Sequence, residues 1–310
     1  MSTIDLRERL RALMHEDRQI TQAKIARESG LSTTTVSQWF SGTYPGDIEA
    51  TETKLQQWLD NHSAQRATAE AMPIAPDYVP TPSAEKVIGA LRYAQAAGDL
   101  ALVYGGAGLG KTSAIRRYRN LSPNVWVATM TPASASVVTA LEEIADAVGV
   151  SGALGGGAAK LHRAICKRIA ETAGLIVIDE AQHLSVAALD QIRSLHDATG
   201  IGVALVGNEQ VYARMSGGNR AAYLDRLYSR IGKKVRLLRS THGDIDALVG
   251  AWNIKDKACA AQLTEIGSKP GALRILTKVL RLASMYATAQ QRAMCCDDIR
   301  AAWLDLGGVE

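Results

Sequence analysis

The sequence is poor in cysteine and contains a single phenylalanine, Phe40. Its cysteines form no C-x-x-C pair and have no histidine clustered beside them, a spacing that argues against a zinc site and against a disulfide framework. With one phenylalanine in 310 residues, the core has to be built mainly from aliphatic side chains. We expect all four cysteines to be reduced and structural: Cys166, Cys259, Cys295 and Cys296.

Long apolar runs are also missing. No stretch of about 18 uninterrupted apolar residues occurs, which predicts that the chain has no membrane-spanning helix. The first ten residues, MSTIDLRERL, lack the apolar segment of a secretory signal. We therefore expect a protein that stays in the cytoplasm and has no membrane partner.

The chain is long enough for more than one hydrophobic core. Its composition, 47% hydrophobic and 21% charged, is typical of globular proteins and excludes a largely disordered or collagen-like chain. The net charge of +4 is compatible with almost any partner and excludes none.

Prolines and hydrophobic periodicity divide the chain into four segments. Residues 1–62 show short helical patterns and predict a small all-helical domain. Residues 63–82 contain four of the eight prolines and predict a Pro-rich linker. Residues 83–240 alternate apolar, β-rich runs with amphipathic stretches, and residues 241–310 show helical periodicity only.

The alternation in residues 83–240 predicts an α/β fold, in which a mostly parallel sheet is flanked by helices. Residues 241–310 would form a smaller helical domain. The candidate strands are Leu100–Tyr104, Val125–Met130, Leu175–Ile178, Val203–Val206 and Val235–Leu238.

A glycine-rich loop follows the first candidate strand and matches G-x-x-x-x-G-K-[ST] at every fixed position. Its backbone N–H groups would converge on phosphate oxygens, Lys111 would reach the β and γ phosphates, and the Thr112 hydroxyl would bind Mg²⁺. The predicted nucleotide-binding residues are Gly105, Gly106, Ala107, Gly108, Leu109, Gly110, Lys111, Thr112 and Ser113.

Polar residues end two further candidate strands. Asp179 is placed to hold the magnesium, and Glu180 to orient and deprotonate the attacking water. The same acidic pair is also favoured by a helix dipole, so its catalytic interpretation depends on the loop. Asn208 follows the strand ending at Val206 and would hold the lytic water or contact the γ phosphate, the alternative being a turn residue after a glycine.

Residues 22–39 have the spacing of a repressor-type helix-turn-helix. Gly30 would adopt the positive φ of the turn, and Ser32 or Thr33 would cap the second helix. A three-helix domain that docks on another protein would use the same geometry, and the residues leave both interpretations open.

Charge is unevenly distributed along the chain. Residues 1–62 carry a net charge of −2, whereas residues 83–240 carry +7. Because contacts from lysine and arginine to phosphate dominate non-specific DNA affinity, the second segment is the better candidate for DNA binding. Its candidate contacts, each also consistent with an ordinary solvated surface, are Lys160, Arg163 and Lys167 on one helical face and the group of Lys233 and Lys234.

The order of these motifs in residues 83–310 resembles that of AAA+ ATPases, P-loop NTPases with a helical lid. Within that class the chain resembles the target-selection ATPases of Mu-like transposing phages, the Mu B family. The stretches that carry this second likeness are NVWVATMTPASASV, GLIVIDEAQHL, GNEQVYARMSGGNR, RLYSRIGKK and KPGALRIL.

The resemblance implies further roles. Arg230 would be the arginine finger that reaches the nucleotide of a neighbouring subunit, with Arg226, one helical turn earlier, as the alternative. Arg274 would be the lid arginine that senses nucleotide, a salt bridge within the lid being its alternative. Family members bind ATP and Mg²⁺, assemble as homo-oligomeric helical filaments on double-stranded DNA, and deliver that DNA to a transposase.

The sequence is also compatible with two other functions. A helicase loader or replication initiator shares the ATPase core and a helix-turn-helix. A sequence-specific repressor, whose nucleotide domain only switches conformation, would use the same motifs without catalysis.

Overall fold

The computed structural model describes residues 3–71, 76–150, 152, 155–216, 227–269 and 271–308. The chain divides between Pro73 and Ile74 into two compact units.

Four helices form the N-terminal unit: α1 (Thr3–Glu16), α2 (Gln22–Ser29), α3 (Thr33–Ser41) and α4 (Ile48–Ala71). Gly30 ends α2 with φ of 68°, a left-handed conformation that glycine adopts without steric cost. The Ser32 side chain caps α3 by accepting a hydrogen bond from the Thr35 N–H. These features confirm the predicted helix-turn-helix geometry, which packs around Leu10, Ile25, Val36, Trp39 and Leu55.

The structure differs from the predicted linker over its first half. Residues 63–71 continue α4 as a helix, because this stretch is rich in alanine and contains no proline. Pro82, at the other end of the predicted linker, occupies the first turn of the next helix, where its missing N–H is not needed.

The second unit contains a five-stranded sheet in the order β2-β3-β4-β1-β5, and every pair of neighbouring strands is parallel. The predicted α/β fold is therefore confirmed. Strand β5 begins at Ile231, four residues before the predicted start. The strands are β1 (Leu100–Gly105), β2 (Val125–Thr129), β3 (Leu175–Asp179), β4 (Gly202–Gly207) and β5 (Ile231–Leu237).

The strands β1, β3 and β4 are buried on both faces of the sheet, so their successive residues enter different cores. In β3, Ile176 and Ile178 pack in one cluster, and Leu175 and Val177 pack in the other. The helices that accompany the sheet are α5 (Pro82–Ala97), α6 (Lys111–Leu121), α7 (Val137–Val148), α8 (Gly157–Ile169), α9 (Val186–Thr199) and α10 (Glu209–Ser216).

The lid consists of α11 (His242–Ala251), α12 (Lys257–Ser268), α13 (Ala272–Ala289) and α14 (Cys296–Asp305), and it has its own apolar core. The buried Asp244 carboxylate joins the lid to α5, since it accepts hydrogen bonds from the Ser83 N–H and hydroxyl at 2.7 Å each. The Thr241 N–H and hydroxyl add two more at 2.8 Å. Burial alone would raise the pKa of Asp244, but these hydrogen bonds outweigh it and hold the pKa below its ordinary value.

The lid also brings two cysteines together. The Sγ atoms of Cys259 and Cys296 and a carboxylate oxygen of Asp256 lie within 4.8 Å of one another, a proximity that the cysteine spacing did not predict. Burial and the neighbouring Cys296 raise the pKa of the Cys259 thiol to about 12, so this thiol stays protonated at neutral pH. Among the described residues, no helix combines the length and hydropathy that crossing a bilayer requires.

Candidate nucleotide-binding site

The loop between β1 and α6 has the conformation that its glycines predict. Gly105, Gly108 and Gly110 all have positive φ. A side chain at Gly105 would collide with the carbonyl of Leu237, and one at Gly108 would collide with the carbonyl of Gly271 at the start of lid helix α13. The loop therefore lies directly against β5 at Gly105 and against the lid at Gly108, and only glycine fits at these two positions.

Lys111 begins α6, and its amino group donates to the carbonyls of Gly105 at 3.0 Å and Gly106 at 2.7 Å. Burial lowers the pKa of this amino group, an effect that the carboxylates of Glu180 and Asp179 oppose. The lysine thus stands at the N-terminus of a helix beside two acids, and its charge is directed into the loop that would hold phosphates.

Thr112 and Asp179 meet at the carboxyl end of β3. The Thr112 hydroxyl donates to Oδ2 of Asp179 at 3.0 Å, and the Glu180 N–H donates to Oδ1 at 3.0 Å. Burial raises the pKa of Asp179, and both hydrogen bonds work against that rise. A hydroxyl next to a buried carboxylate is the oxygen donor set that Mg²⁺ prefers, so these residues fit the predicted metal role.

Most of the predicted residues line one cavity of about 400 Å³, a size within the range of small-molecule sites. Its predicted members are Gly105, Ala107, Gly108, Leu109, Gly110, Lys111, Thr112, Ser113, Glu180, Asn208 and Arg274. Asn208 also caps α10, because its Oδ1 accepts from the Gln210 N–H at 2.9 Å.

Gly106 differs from its predicted role. Its N–H donates to the Leu237 carbonyl at 3.0 Å and so extends the pairing of β1 with β5. This N–H is consequently turned to the sheet, and it is not one of the groups available to a phosphate.

Several residues that line the cavity were not predicted from the sequence. Residues 76–79, assigned to the linker, line it, and the Tyr78 ring lies beside the Arg117 guanidinium at 5.3 Å. No motif marks this segment. Arg281 also lines the cavity and lies seven residues after Arg274 on α13, a helical spacing that could have revealed it. The lid adds Leu248, Trp252, Leu273 and Thr277.

Arg230 is absent from the described residues that line this cavity. Its side chain is 52% exposed, and its guanidinium pairs with Asp197 of α9, with Nε 3.1 Å from Oδ1. Arg193 also pairs with this carboxylate. Arg226, the alternative finger, lies outside the described residues.

The two predicted basic groups differ in their surroundings. Lys160, Arg163 and Lys167 are exposed on α8, whose opposite face buries Leu161, Ile165 and Ile169. Lys233 instead donates to the Gly89 carbonyl at 3.3 Å. Lys234 lies 3.4 Å from the centre of the Tyr228 ring. The β5 lysines are thus engaged by the protein itself, whereas the α8 group faces solvent.

Comparison with known protein families gives three matches. A model described as "Mu B transposition protein, C terminal" matches residues 229–306. A model described as "AAA domain" matches residues 95–215. A model described as "Homeodomain-like domain" matches residues 3–43, the segment that contains the helix-turn-helix.

Solved structures with similar folds include the Aeropyrum pernix ORC1 protein in complex with DNA, at a TM-score of 0.54 and 18% identity, covering 76% of this chain and 68% of that one. Domain III of the Thermotoga maritima replication initiation protein DnaA matches at a TM-score of 0.50 and 16% identity, covering 74% of this chain and 94% of that one. Both likenesses concern the fold alone, and with the AAA match they confirm an AAA+ P-loop fold.

Two curated relatives match over most of their length. "ATP-dependent target DNA activator B" of Escherichia phage Mu is 39% identical over 306 residues, covering 99% of this chain and 96% of that protein. "Mu-like prophage FluMu DNA transposition protein B" of Haemophilus influenzae is 36% identical over 264 residues, covering 84% of this chain and 91% of that protein. The resemblance predicted from the motifs is confirmed: the chain belongs to the Mu B family of transposition proteins.

Proposed function

We propose that this protein is an ATP-dependent activator of target DNA in transposition, acting in the cytoplasm of a bacterial host. It binds and hydrolyses ATP with Mg²⁺, assembles on double-stranded DNA while ATP is bound, and delivers that DNA to a transposase. The observation that carries the proposal is the convergence of the glycine loop, Glu180 and Asn208 on one cavity, beside the Thr112–Asp179 pair. The names of the curated relatives support the same function.

In the nucleotide site, the loop N–H groups and the N-terminus of α6 bind the phosphates, and Lys111 neutralises their charge. Thr112 and Asp179 would hold Mg²⁺, which would neutralise charge that develops on the phosphate oxygens. Arg274, which lines the same cavity from the lid, would contact the phosphates and couple nucleotide binding to lid position.

Glu180 supplies the base for hydrolysis. Its carboxylate accepts a proton from water as the water oxygen bonds to the γ phosphorus, and the bond from that phosphorus to the bridging oxygen breaks to release ADP. Asn208 lies on the same cavity and would hold the attacking water through its side-chain amide.

Replacing Glu180 by glutamine tests this assignment. Glu180→Gln removes the base and keeps the size of the side chain, so we expect ATP to bind while hydrolysis falls by at least about 100-fold. DNA occupancy, followed after ATP is diluted, should last longer than for the wild type. Faster release of DNA by Glu180→Gln would contradict the role of general base.

Arg230 is proposed to act in trans, since it lies on an exposed surface and the cavity of its own chain is built without it. Mixing Arg230→Ala subunits, which keep an intact nucleotide site, with Glu180→Gln subunits, which keep the arginine, should restore part of the hydrolysis. Each variant alone should be inactive. If the mixture stays inactive while both variants still assemble on DNA, Arg230 acts in cis or is not the finger.

The main DNA contact is proposed for the α8 group of Lys160, Arg163 and Lys167. These three side chains are exposed on one helical face, and no acidic partner is observed for them within the described part of the chain. Lys233 and Lys234 would contribute less, because contact with DNA requires them to leave Gly89 and Tyr228.

A further inference from the structure

Gln182 lies two residues after Glu180, in a short 3₁₀ turn formed by Ala181–His183. It is 7% exposed, although glutamine side chains are mostly exposed in folded proteins. Its amide makes two hydrogen bonds: Nε2 donates to Oε2 of Glu180, and Oε1 accepts from the Asn208 N–H at 3.2 Å.

The chemistry of the two partners determines the orientation of this amide. A carboxylate can only accept and a backbone N–H can only donate, so Nε2 has to face Glu180 and Oε1 has to face Asn208. The glycine before Asn208 allows this approach, because a Cβ at Gly207 would lie 2.5 Å from Oε1 of Gln182. A buried group with both ends satisfied rigidifies its surroundings.

Glu180 needs such support because its backbone leaves the regular strand. Its φ is +56°, in the left-handed region that few residues other than glycine adopt. The direction of its side chain is therefore not given by the alternation of β3. Within the described part of the chain, the hydrogen bond from Gln182 goes to Oε2 of Glu180, which leaves Oε1 to accept from a water molecule.

We propose that Gln182 is the positioning residue for the base of the ATPase reaction. It holds the Glu180 carboxylate in one orientation and ties it to the end of β4, where Asn208 caps α10. The inference rests on the proposed function, since it assigns a role toward Glu180. Gln182 is absent from the described residues that line the cavity, and so it acts through Glu180 and not on the nucleotide.

Two substitutions distinguish the effects of the two hydrogen bonds that the Gln182 amide makes. Gln182→Met keeps the length of the side chain and removes both hydrogen bonds. Gln182→Glu keeps the acceptor for the Asn208 N–H and replaces the donor by a carboxylate that repels Glu180. Gln191→Met is the matched control, since Gln191 is a partly buried glutamine of α9 that bonds to Nδ1 of His162 at 2.8 Å, away from the cavity.

We expect kcat for ATP hydrolysis with duplex DNA to fall by about tenfold or more in both Gln182 variants, the loss typical of misplacing a general base. The Kd for ATP should stay within about twofold of wild type, because no nucleotide contact is lost. Gln191→Met should keep both values. Adding Gln182→Met to Glu180→Gln should cause no further loss, because a positioning residue has no effect once the base is gone.

Other outcomes overturn the inference. If Gln182→Glu retains wild-type kcat, the hydrogen bond from Gln182 to Glu180 does not contribute to hydrolysis. If the double variant is slower than Glu180→Gln by the full factor that Gln182→Met causes alone, Gln182 acts independently of Glu180. If Gln182→Met folds poorly, as a lowered Tm would show, the kcat of Gln182→Glu tests the inference in its place. A wild-type chain that hydrolyses no ATP would contradict the proposed function itself.

Discussion

Helix α3 of the N-terminal unit and helix α8 of the second unit both present a polar face to solvent, but the two faces differ in charge. Helix α3 contains no charged residue and exposes side chains such as Thr34 and Ser37. Helix α8 exposes Lys160, Arg163 and Lys167. Helix α3 therefore has the geometry of a DNA-reading helix without cations for phosphates, and α8 has the cations without that geometry.

The difference in charge predicts that the helix-turn-helix contributes less DNA affinity than the second unit does. Residues 1–62 have a net charge of −2, and residues 83–240 have +7. Affinity from phosphate contacts would then lie in the unit that holds the nucleotide, where ATP can control it. Three predictions test this division, from the largest expected effect to the smallest.

The nucleotide site should control DNA binding even though α3 is intact. Lys111→Ala removes the cation beside the phosphates, so we expect ATP binding to weaken by about 100-fold or more. Assembly on DNA, measured by gel shift with and without ATP, should be lost. Lys86→Ala, which removes an exposed lysine of α5, is the control. If Lys111→Ala still binds DNA in an ATP-dependent way, the assignment of this loop as the ATP site is wrong.

Reversing the charge of the α8 face should weaken DNA binding more than removing the N-terminal unit. With Lys160, Arg163 and Lys167 all replaced by glutamate, we expect affinity at fixed salt to fall by about tenfold or more, and the salt dependence to become shallower. A chain starting at Ile74 should lose about threefold or less. This truncation follows the boundary between the two units, and it removes the whole of α4 together with the N-terminal unit.

The matched control for this reversal is a lid variant with the same change in charge. Lys255, Lys257 and Lys278 are exposed lysines of the lid, and replacing them by glutamate should leave DNA affinity within about threefold. If the truncated chain binds DNA more weakly than the α8 variant does, the comparison is reversed and α3 is the main contact.

The smallest effect should come from the cap of α3. Ser32→Ala removes the hydrogen bond from the Thr35 N–H, at 3.0 Å, and we expect the N-terminal unit to lose about 1 kcal/mol of unfolding free energy. ATP-dependent DNA affinity should change by less than about twofold. Ser37→Ala, on the exposed face of the same helix, is the control in thermal unfolding. A larger loss of DNA affinity for Ser32→Ala would show that α3 contributes more than its charge indicates.

Local motifs made the geometry of the candidate nucleotide site predictable. The spacing of Gly105 to Thr112 specifies a loop at a strand end, and an acidic pair after a buried strand places Asp179 beside Thr112 in a parallel sheet. Contacts between distant segments were not predictable. Residues 76–79 carry no motif, and only the packing of core and lid brings them to the cavity. Gly106 matched the motif, yet pairing with Leu237 occupies its N–H.

The sequence by itself determined the P-loop, the order of strands and helices, and the uneven charge, because these depend on residue type and on short spacing. Only the tertiary structure decided which groups are free to act. It engages Lys233 and Lys234 with neighbours, pairs Arg230 with Asp197, and places Gln182 between Glu180 and Asn208. The hydrogen bond from Lys233 to Gly89 joins residues 144 positions apart, and those from Ser83 to Asp244 join residues 161 positions apart. Contacts over such distances follow from packing and not from local pattern.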